Sequence, residues 1–273
     1  MTFTMNKQKP FSLKKQPGFG FIAILCFVML YAPIITLVVY SFNTGKYISM
    51  WEGFSLQWYV SAWNNEAVQD AALRSLVLAL QASIYSTILA TMAALGTTRT
   101  RPFPGLTAIY VMINQPLMVP EIVTAVALLT LFAIIKAATG IQGMIYLVLA
   151  HTAFCIPFAY LPIRARLEGM NLILETAAAD LYATPWTNFC RVTFQLHRQG
   201  IIAGAMLAFV ISLDDVVITE FVKSSGQETL PTYMLGQLRR IVSPEINAIS
   251  TVLVSLSILV VGLFFLVDKK FGK

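Results

Sequence analysis

The chain has 273 residues, of which 57% are hydrophobic and only 12% charged, against roughly 25% charged residues in an average soluble domain. That composition excludes a water-soluble globule. The net charge of +6 reflects membrane orientation and not a nucleic-acid surface, because its Lys and Arg residues are sorted between loops.

Six windows, 16–45, 75–98, 102–135, 137–163, 199–222 and 246–267, each supply the roughly 20 apolar residues that a bilayer-spanning helix needs. The expected spans are 19–42, 73–97, 106–135, 144–163, 200–222 and 247–267. Lys7, Lys9, Lys14 and Lys15 precede the first apolar run in the manner of a secretory signal. The run continues uncharged to Lys46 without a small-residue cleavage site, and is expected to stay as a first helix. Residues 44–70 carry Trp51, Trp58, Tyr59 and Trp63, a set suited to the membrane interface or to an outer partner.

The third span is interrupted by Pro116, Pro120 and Glu121. Reading it as one discontinuous helix keeps the Arg-bearing 164–198 loop on the Lys/Arg-rich side. Thirteen Lys/Arg then lie on one face and six on the other, which puts both termini in the cytoplasm. The chain is thus organised as a cytoplasmic tail (1–18), one transmembrane domain (19–267) with a cytoplasmic loop at 164–199, and a short tail (268–273). Within that loop Glu175, Thr176, Ala177, Ala178, Ala179, Asp180 and Leu181 are helix formers, ended by Thr184-Pro185, so a short helix is expected outside the membrane.

Four carboxylates fall within spans: Glu121, Asp214, Asp215 and Glu220. Each costs about 2.5 to 3.5 kcal/mol at a helix centre, so a functional or paired location is the default. Glu220 sits near a span end beside Lys223 and reads as part of an ordinary ion pair. Asp214 and Asp215 point about 100° apart, and Ser212 shares the face of Asp215. Asp214 alternatively accepts backbone hydrogen bonds and shapes a helix break. Glu121 follows Pro120 at mid-span, and an acid at a broken helix is a known way to line a transport path. His151 reads as a helix-packing hydrogen bonder. Cys26, Cys155 and Cys190 lack the spacing of a metal or disulfide framework. No phosphate-binding loop or zinc-binding His pair occurs, so energy must come from a partner or a gradient.

Two passages carry a resemblance. One is Glu175-Thr176-Ala177-Ala178-Ala179-Asp180-Leu181-Tyr182-Ala183-Thr184-Pro185; the other is Ser212-Leu213-Asp214-Asp215-Val216-Val217-Ile218 with Thr229-Leu230-Pro231 and Ser243-Pro244-Glu245-Ile246-Asn247-Ala248. Val119-Pro120-Glu121-Ile122-Val123 and His151-Thr152-Ala153-Phe154-Cys155 extend it. The chain resembles the permease subunits of ATP-binding-cassette importers of the binding-protein-dependent type, and closely the smaller permease subunit of spermidine/putrescine importers.

The resemblance implies an all-α, six-helix permease of the type I importer fold, with a cytoplasmic coupling helix between the fourth and fifth spans. It implies a second, homologous permease subunit, two cytoplasmic ATPases that hydrolyse the ATP, an outer polyamine-binding protein, and no cofactor held by this chain. By position Trp51, Glu121, Ser212, Asp214 and Asp215 match the substrate pathway, and residues 175–185 match the ATPase contact. Thr176 stands where the coupling motif has Glu, Tyr182 where it has Gly, and Phe194-Gln195 where a Leu-Pro pair usually follows. A proton-coupled carrier using the same acids and a membrane enzyme are the competing classes. Two histidines leave little material for the latter.

Overall fold

The computed structural model describes residues 18–45, 50–239 and 244–271. The N-terminal lysines, Lys46, Arg240, Ser243 and Lys273 lie outside them. The described residues form twelve helices: α1 Phe19–Tyr40, α2 Gln57–Asn64, α3 Glu66–Thr98, α4 Leu106–Met118, α5 Glu121–Thr139, α6 Ile145–Glu168, α7 Ile173–Asp180, α8 Pro185–Asn188, α9 Phe194–Asp214, α10 Val217–Val222, α11 Leu230–Leu238 and α12 Glu245–Phe271. A π-helical turn, Phe189–Thr193, joins α8 to α9.

Six of these helical segments are long and apolar enough to cross a membrane: Gly20–Tyr40, Glu66–Thr98, Glu121–Thr139, Ile145–Glu168, Pro185–Asp214 and Glu245–Leu263. The expected third span arrives as two helices, α4 and α5, and the expected fifth span stops at Asp214 and resumes as α10. The second span begins earlier than expected. Asn65 caps α3 by accepting the Ala67 N–H at 3.1 Å, and its 33 residues give a rod of about 50 Å, longer than the hydrocarbon layer. Pro185, expected to end the loop helix, instead opens α8, with Thr184 Oγ1 accepting from Thr187 N at 3.2 Å. Pro fits there because the first turn of a helix has no use for its missing N–H.

The core is the tight packing of α3, α6 and α9. Lipid offers no hydrophobic drive between helices, so close approach of small residues supplies dispersion instead. On α3 the buried positions include Ala71, Ser75, Ala79, Ala82, Ser86, Ala90 and Ala94. On α9 Gly200, Gly204, Ala208 and Ser212 recur every fourth residue and are buried. A Cβ on Gly204 would lie 2.7 Å from the Ala159 carbonyl oxygen of α6, and one on Gly200 2.8 Å from Arg166 Cβ. Leu147, Tyr160, Ile163 and Leu167 of α6 fill the space between. Cross-helix hydrogen bonds pin the register: Ser83 Oγ donates to the Ala205 carbonyl at 2.6 Å, and Thr97 Oγ1 meets Tyr160 OH at 2.9 Å. The window of α1, by contrast, is not buried at all within the chain, and it packs on α12 at the periphery.

The glycines give a prediction of opposite signs. Gly204→Ala forces α9 off α6 and lowers stability by about 1–3 kcal/mol. Gly96→Ala, where an added Cβ meets nothing, raises it by roughly 0.5–1 kcal/mol. Thermal unfolding of the two variants in detergent checks both signs.

Candidate functional site

Two helix breaks build the site. At the first, Val119 is extended (φ −97°, ψ 137°) because the residue before a proline is driven out of the α region. Pro120 then launches α5 with Glu121 as its first residue. At the second, Asp215 is extended (φ −64°, ψ 130°) between α9 and α10. Packing of α10 against α5 brings the breaks together around a cleft of about 350 Å³, lined by Glu121, Phe154, Val210, Ile211, Asp214, Asp215, Val216 and Val217. Glu121 is half-buried and reaches Asp215, whereas Asp214 is exposed.

Asp215 is held differently from its neighbour. Its side chain is 1% exposed. Oδ2 accepts from Thr219 N at 2.9 Å and Thr219 Oγ1 at 2.8 Å, and Oδ1 from Ile218 N at 3.3 Å. These are N–H groups of the first turn of α10, which have no partner within the helix. His151 of α6 completes the network: its Nδ1 lies 2.8 Å from Ser212 Oγ, and its Nε2 2.9 Å from Thr219 Oγ1 and 3.4 Å from Asp215 Oδ2. The partners fix the role of Nε2. Thr219 gives its proton to Asp215, so Thr219 Oγ1 accepts from Nε2–H, and Nδ1 pairs with the Ser212 hydroxyl. One imidazole thereby ties Ser212 on α9 to Thr219 on α10, across the break.

The expected coupling segment is α7 and its exit. Glu175 points inward: Arg99 Nε lies 3.0 Å from Oε2, Thr193 Oγ1 donates to Oε1 at 3.0 Å, and Asn188 Nδ2 donates to its backbone carbonyl at 3.0 Å. Arg99 also donates to the Leu167 carbonyl at 3.3 Å, so one guanidinium gathers the ends of α3, α6 and α7. Thr176 turns its hydroxyl back onto the Leu172 carbonyl at 3.0 Å. Ala177 and Asp180 are exposed and Ala178 is half-buried. The helix ends in a Schellman motif, with Ala183 N bonded to the Ala178 carbonyl at 3.1 Å and Tyr182 N to that of Ala179 at 2.9 Å. That motif needs a left-handed residue, and Tyr182 takes the conformation at φ 59° while 96% exposed. Leu181 and Trp186 are exposed beside it.

Residues 86–273 match the family described as the inner membrane component of binding-protein-dependent transport systems. The chain belongs to that family. It is 39% identical over 235 residues to the putrescine transport system permease protein PotI of Escherichia coli K12, covering 85% of this chain and 84% of that protein. It is 36% identical over 244 residues to the spermidine/putrescine transport system permease protein PotC of Haemophilus influenzae, covering 89% and 93%. Among solved structures it superposes on a chain of a bacterial ABC transporter involved in the import of the acidic polysaccharide alginate. That match has a TM-score of 0.68 at 14% identity and covers 92% and 93% of the two chains. A chain of the inward-facing MetNI methionine ABC transporter gives a TM-score of 0.60 at 15% identity, over 74% and 94%. The fold is that of type I importer permeases.

Of the residues expected along this permease's pathway, the structure gathers Glu121, Asp214 and Asp215 at one cleft. Ser212 is buried against His151 and does not line it. Trp51 stands in the segment between α1 and α2, edge-on to Tyr40 at 6.1 Å, and is not brought to the cleft. Glu220 pairs with Lys223 at 2.8 Å. The break capped by a carboxylate is real, but Asp215 and not Asp214 caps it. His151 is a helix-packing hydrogen bonder, as expected, and belongs to the site. Its partners lie 61 and 68 residues further on. His197, expected in the loop, is buried on α9.

The left-handed tyrosine gives a prediction. A residue with a Cβ held there costs roughly 1–2 kcal/mol, of which the greater unfolded-state freedom of Gly takes back part. Tyr182→Gly therefore raises stability by about 0.5–1 kcal/mol and Tyr182→Val lowers it, read from thermal unfolding of the purified chain.

Proposed function

We propose that this chain is one of two transmembrane subunits of an ATP-driven importer for polyamines, with putrescine or spermidine as cargo. The observation that carries the reading is the cleft between two helix breaks, where Glu121 and Asp214 present carboxylates without a Lys or Arg among the lining residues. A polyamine is a chain of ammonium groups joined by methylenes. Spaced carboxylates suit the ammonium groups through charge-assisted hydrogen bonds, and the apolar walls with Phe154 suit the methylenes and offer a cation–π face. The names of the relatives agree with that chemistry.

In this reading a second, related permease supplies the other half of the conduit, an outer binding protein delivers the polyamine, and two cytoplasmic ATPases hydrolyse the ATP. This chain holds no cofactor. The α7 segment is the ATPase contact, and residues 175–182 transmit its movement to α3 and α6 through Arg99. Arg99, Arg164, Arg166, Arg191 and Arg198 cluster in sequence around that end, while Lys136 meets Ser224 at 3.1 Å near the opposite ends of α5 and α10. That sorting supports cytoplasmic termini in a bacterial inner membrane.

The test is uptake of labelled putrescine by cells that express the four kinds of subunit and no other polyamine importer. Uptake depends on the ATPase, and a cross-linker at Ala178→Cys captures that subunit. Asp214→Asn and Glu121→Gln each raise the KM about tenfold, the equivalent of one charge-assisted hydrogen bond. Uptake that persists without the ATPase and collapses with the proton gradient overturns the reading in favour of a proton-coupled carrier.

A further inference from the structure

The two adjacent aspartates have the same chemistry and different surroundings, and this separates their roles. Asp214 is exposed on the cleft. Asp215 has its side chain almost fully buried, and both of its oxygens already accept hydrogen bonds, from two backbone N–H groups of α10 and the Thr219 hydroxyl, while His151 Nε2 lies 3.4 Å away and the Glu121 side chain also reaches it. A carboxylate so occupied has little capacity left for an incoming ammonium group.

Without those bonds the breaks in the ladder would strand N–H groups in a membrane interior, where unsatisfied polar groups are costly. His151 adds the second half of the device. It is 1% exposed, and through Ser212 and Thr219 it contacts both helices that the break separates. The direction in which α9 ends, and with it the direction of Asp214 one residue before the break, therefore depends on a side chain of α6.

We propose that His151 and Asp215 are positioning residues, which fix the break between α9 and α10 so that Asp214 faces the cleft, and that Asp215 does not itself bind the transported cation. This rests on the importer reading for its substrate but not for its geometry. Asn keeps one acceptor oxygen with two lone pairs, enough for Thr219 N and Thr219 Oγ1, so the neutral variant keeps the two shorter bonds and loses the charge and the 3.3 Å bond from Ile218 N. That separates positioning from cation binding.

The experiment measures putrescine uptake by the assembled importer, and thermal unfolding of the purified complex, for Asp215→Asn, Asp215→Ala, His151→Leu, the double variant His151→Leu/Asp215→Ala, and Asp214→Asn as the reference. Asp215→Asn is expected to leave KM and maximal rate within about twofold of the parent. Asp215→Ala and His151→Leu each turn the Asp214 carboxylate away from the cleft and so raise KM about tenfold, toward that of Asp214→Asn, the loss of one charge-assisted hydrogen bond. The double variant is no worse than the more impaired single one, because the two residues act as one unit. A KM raised in Asp215→Asn as far as in Asp214→Asn overturns the proposal, since Asp215 would then be a ligand. Independent, additive effects of the two residues overturn it as well. The unfolding arm needs no substrate: a melting temperature kept in Asp215→Asn and lowered non-additively in the other variants supports the network even if putrescine proves not to be the cargo. Equal melting of all variants overturns it.

Discussion

A polypeptide inside lipid must satisfy its own backbone, because no water is present to do so, and the site depends on how this chain meets that constraint where its helices stop. A transport path needs non-helical backbone at membrane depth, since breaks are what turn polar side chains and helix ends toward a central space. At Asp215 the freed N–H groups of Ile218 and Thr219 bond to the side chain at the break itself. At Val119-Pro120 the solution is partly subtractive, because proline has no N–H to strand. Local sequence thus makes both breaks tolerable, and packing of α10 on α5 makes them one site.

The same economy governs the polar end of the bundle. The C-terminal carbonyls of a helix lack partners, and the Leu167 carbonyl near the end of α6 takes both terminal nitrogens of Arg99, whose Nε faces Glu175. A guanidinium is suited to this because its planar fork donates in several directions at once. The result joins α3, α6 and α7 through one side chain. Thr193 and Asn188 extend the junction to the π-helical turn that leads into α9. The three helices of the small-residue core are therefore all connected to α7 at this end of the bundle. Glu175 takes the inward role. Thr176, one position on, faces its own helix backbone, as the rotation of about 100° per residue requires.

The fold was largely legible because apolar length is a strong signal: each of the six expected spans overlaps a long apolar helix, the third and fifth being interrupted by breaks. Break positions were legible in part. Pro120 announced the first, since a proline and the residue before it carry local conformational rules. Asp214-Asp215 suggested the second but not which aspartate would cap it, because that depends on the direction in which the chain resumes after the break. The close approach of α9 to α6 was written as Gly200-Ile201-Ile202-Ala203-Gly204, a small-residue spacing that was there to be read. His151 was legible as a helix-packing hydrogen bonder, but its partners were not. They are Ser212 and Thr219, 61 and 68 residues further on, and no local pattern around a lone histidine encodes partners so far along the chain. Trp51 marks the limit in the other direction: its type suits a cation, yet its place beside Tyr40 is decided by the loop after α1.

The division between Asp214 and Asp215 also bears on how tightly a conduit should hold its cargo. A charge-assisted hydrogen bond contributes about 1.5–3 kcal/mol, so two free carboxylates give roughly 3–6 kcal/mol, an affinity in the range of about millimolar to tens of micromolar. A third available carboxylate would tighten that by about tenfold to a hundredfold. A dicationic cargo held that firmly at mid-membrane would leave slowly, since affinity within one site is gained mainly through a slower off-rate. Using Asp215 to cap α10 keeps the negative group that the break requires while taking it out of competition for the cargo. Adjacent placement does this without a further residue: Asp214 ends α9 and Asp215 is extended at the break, so one carboxylate faces the protein and the other faces the cleft.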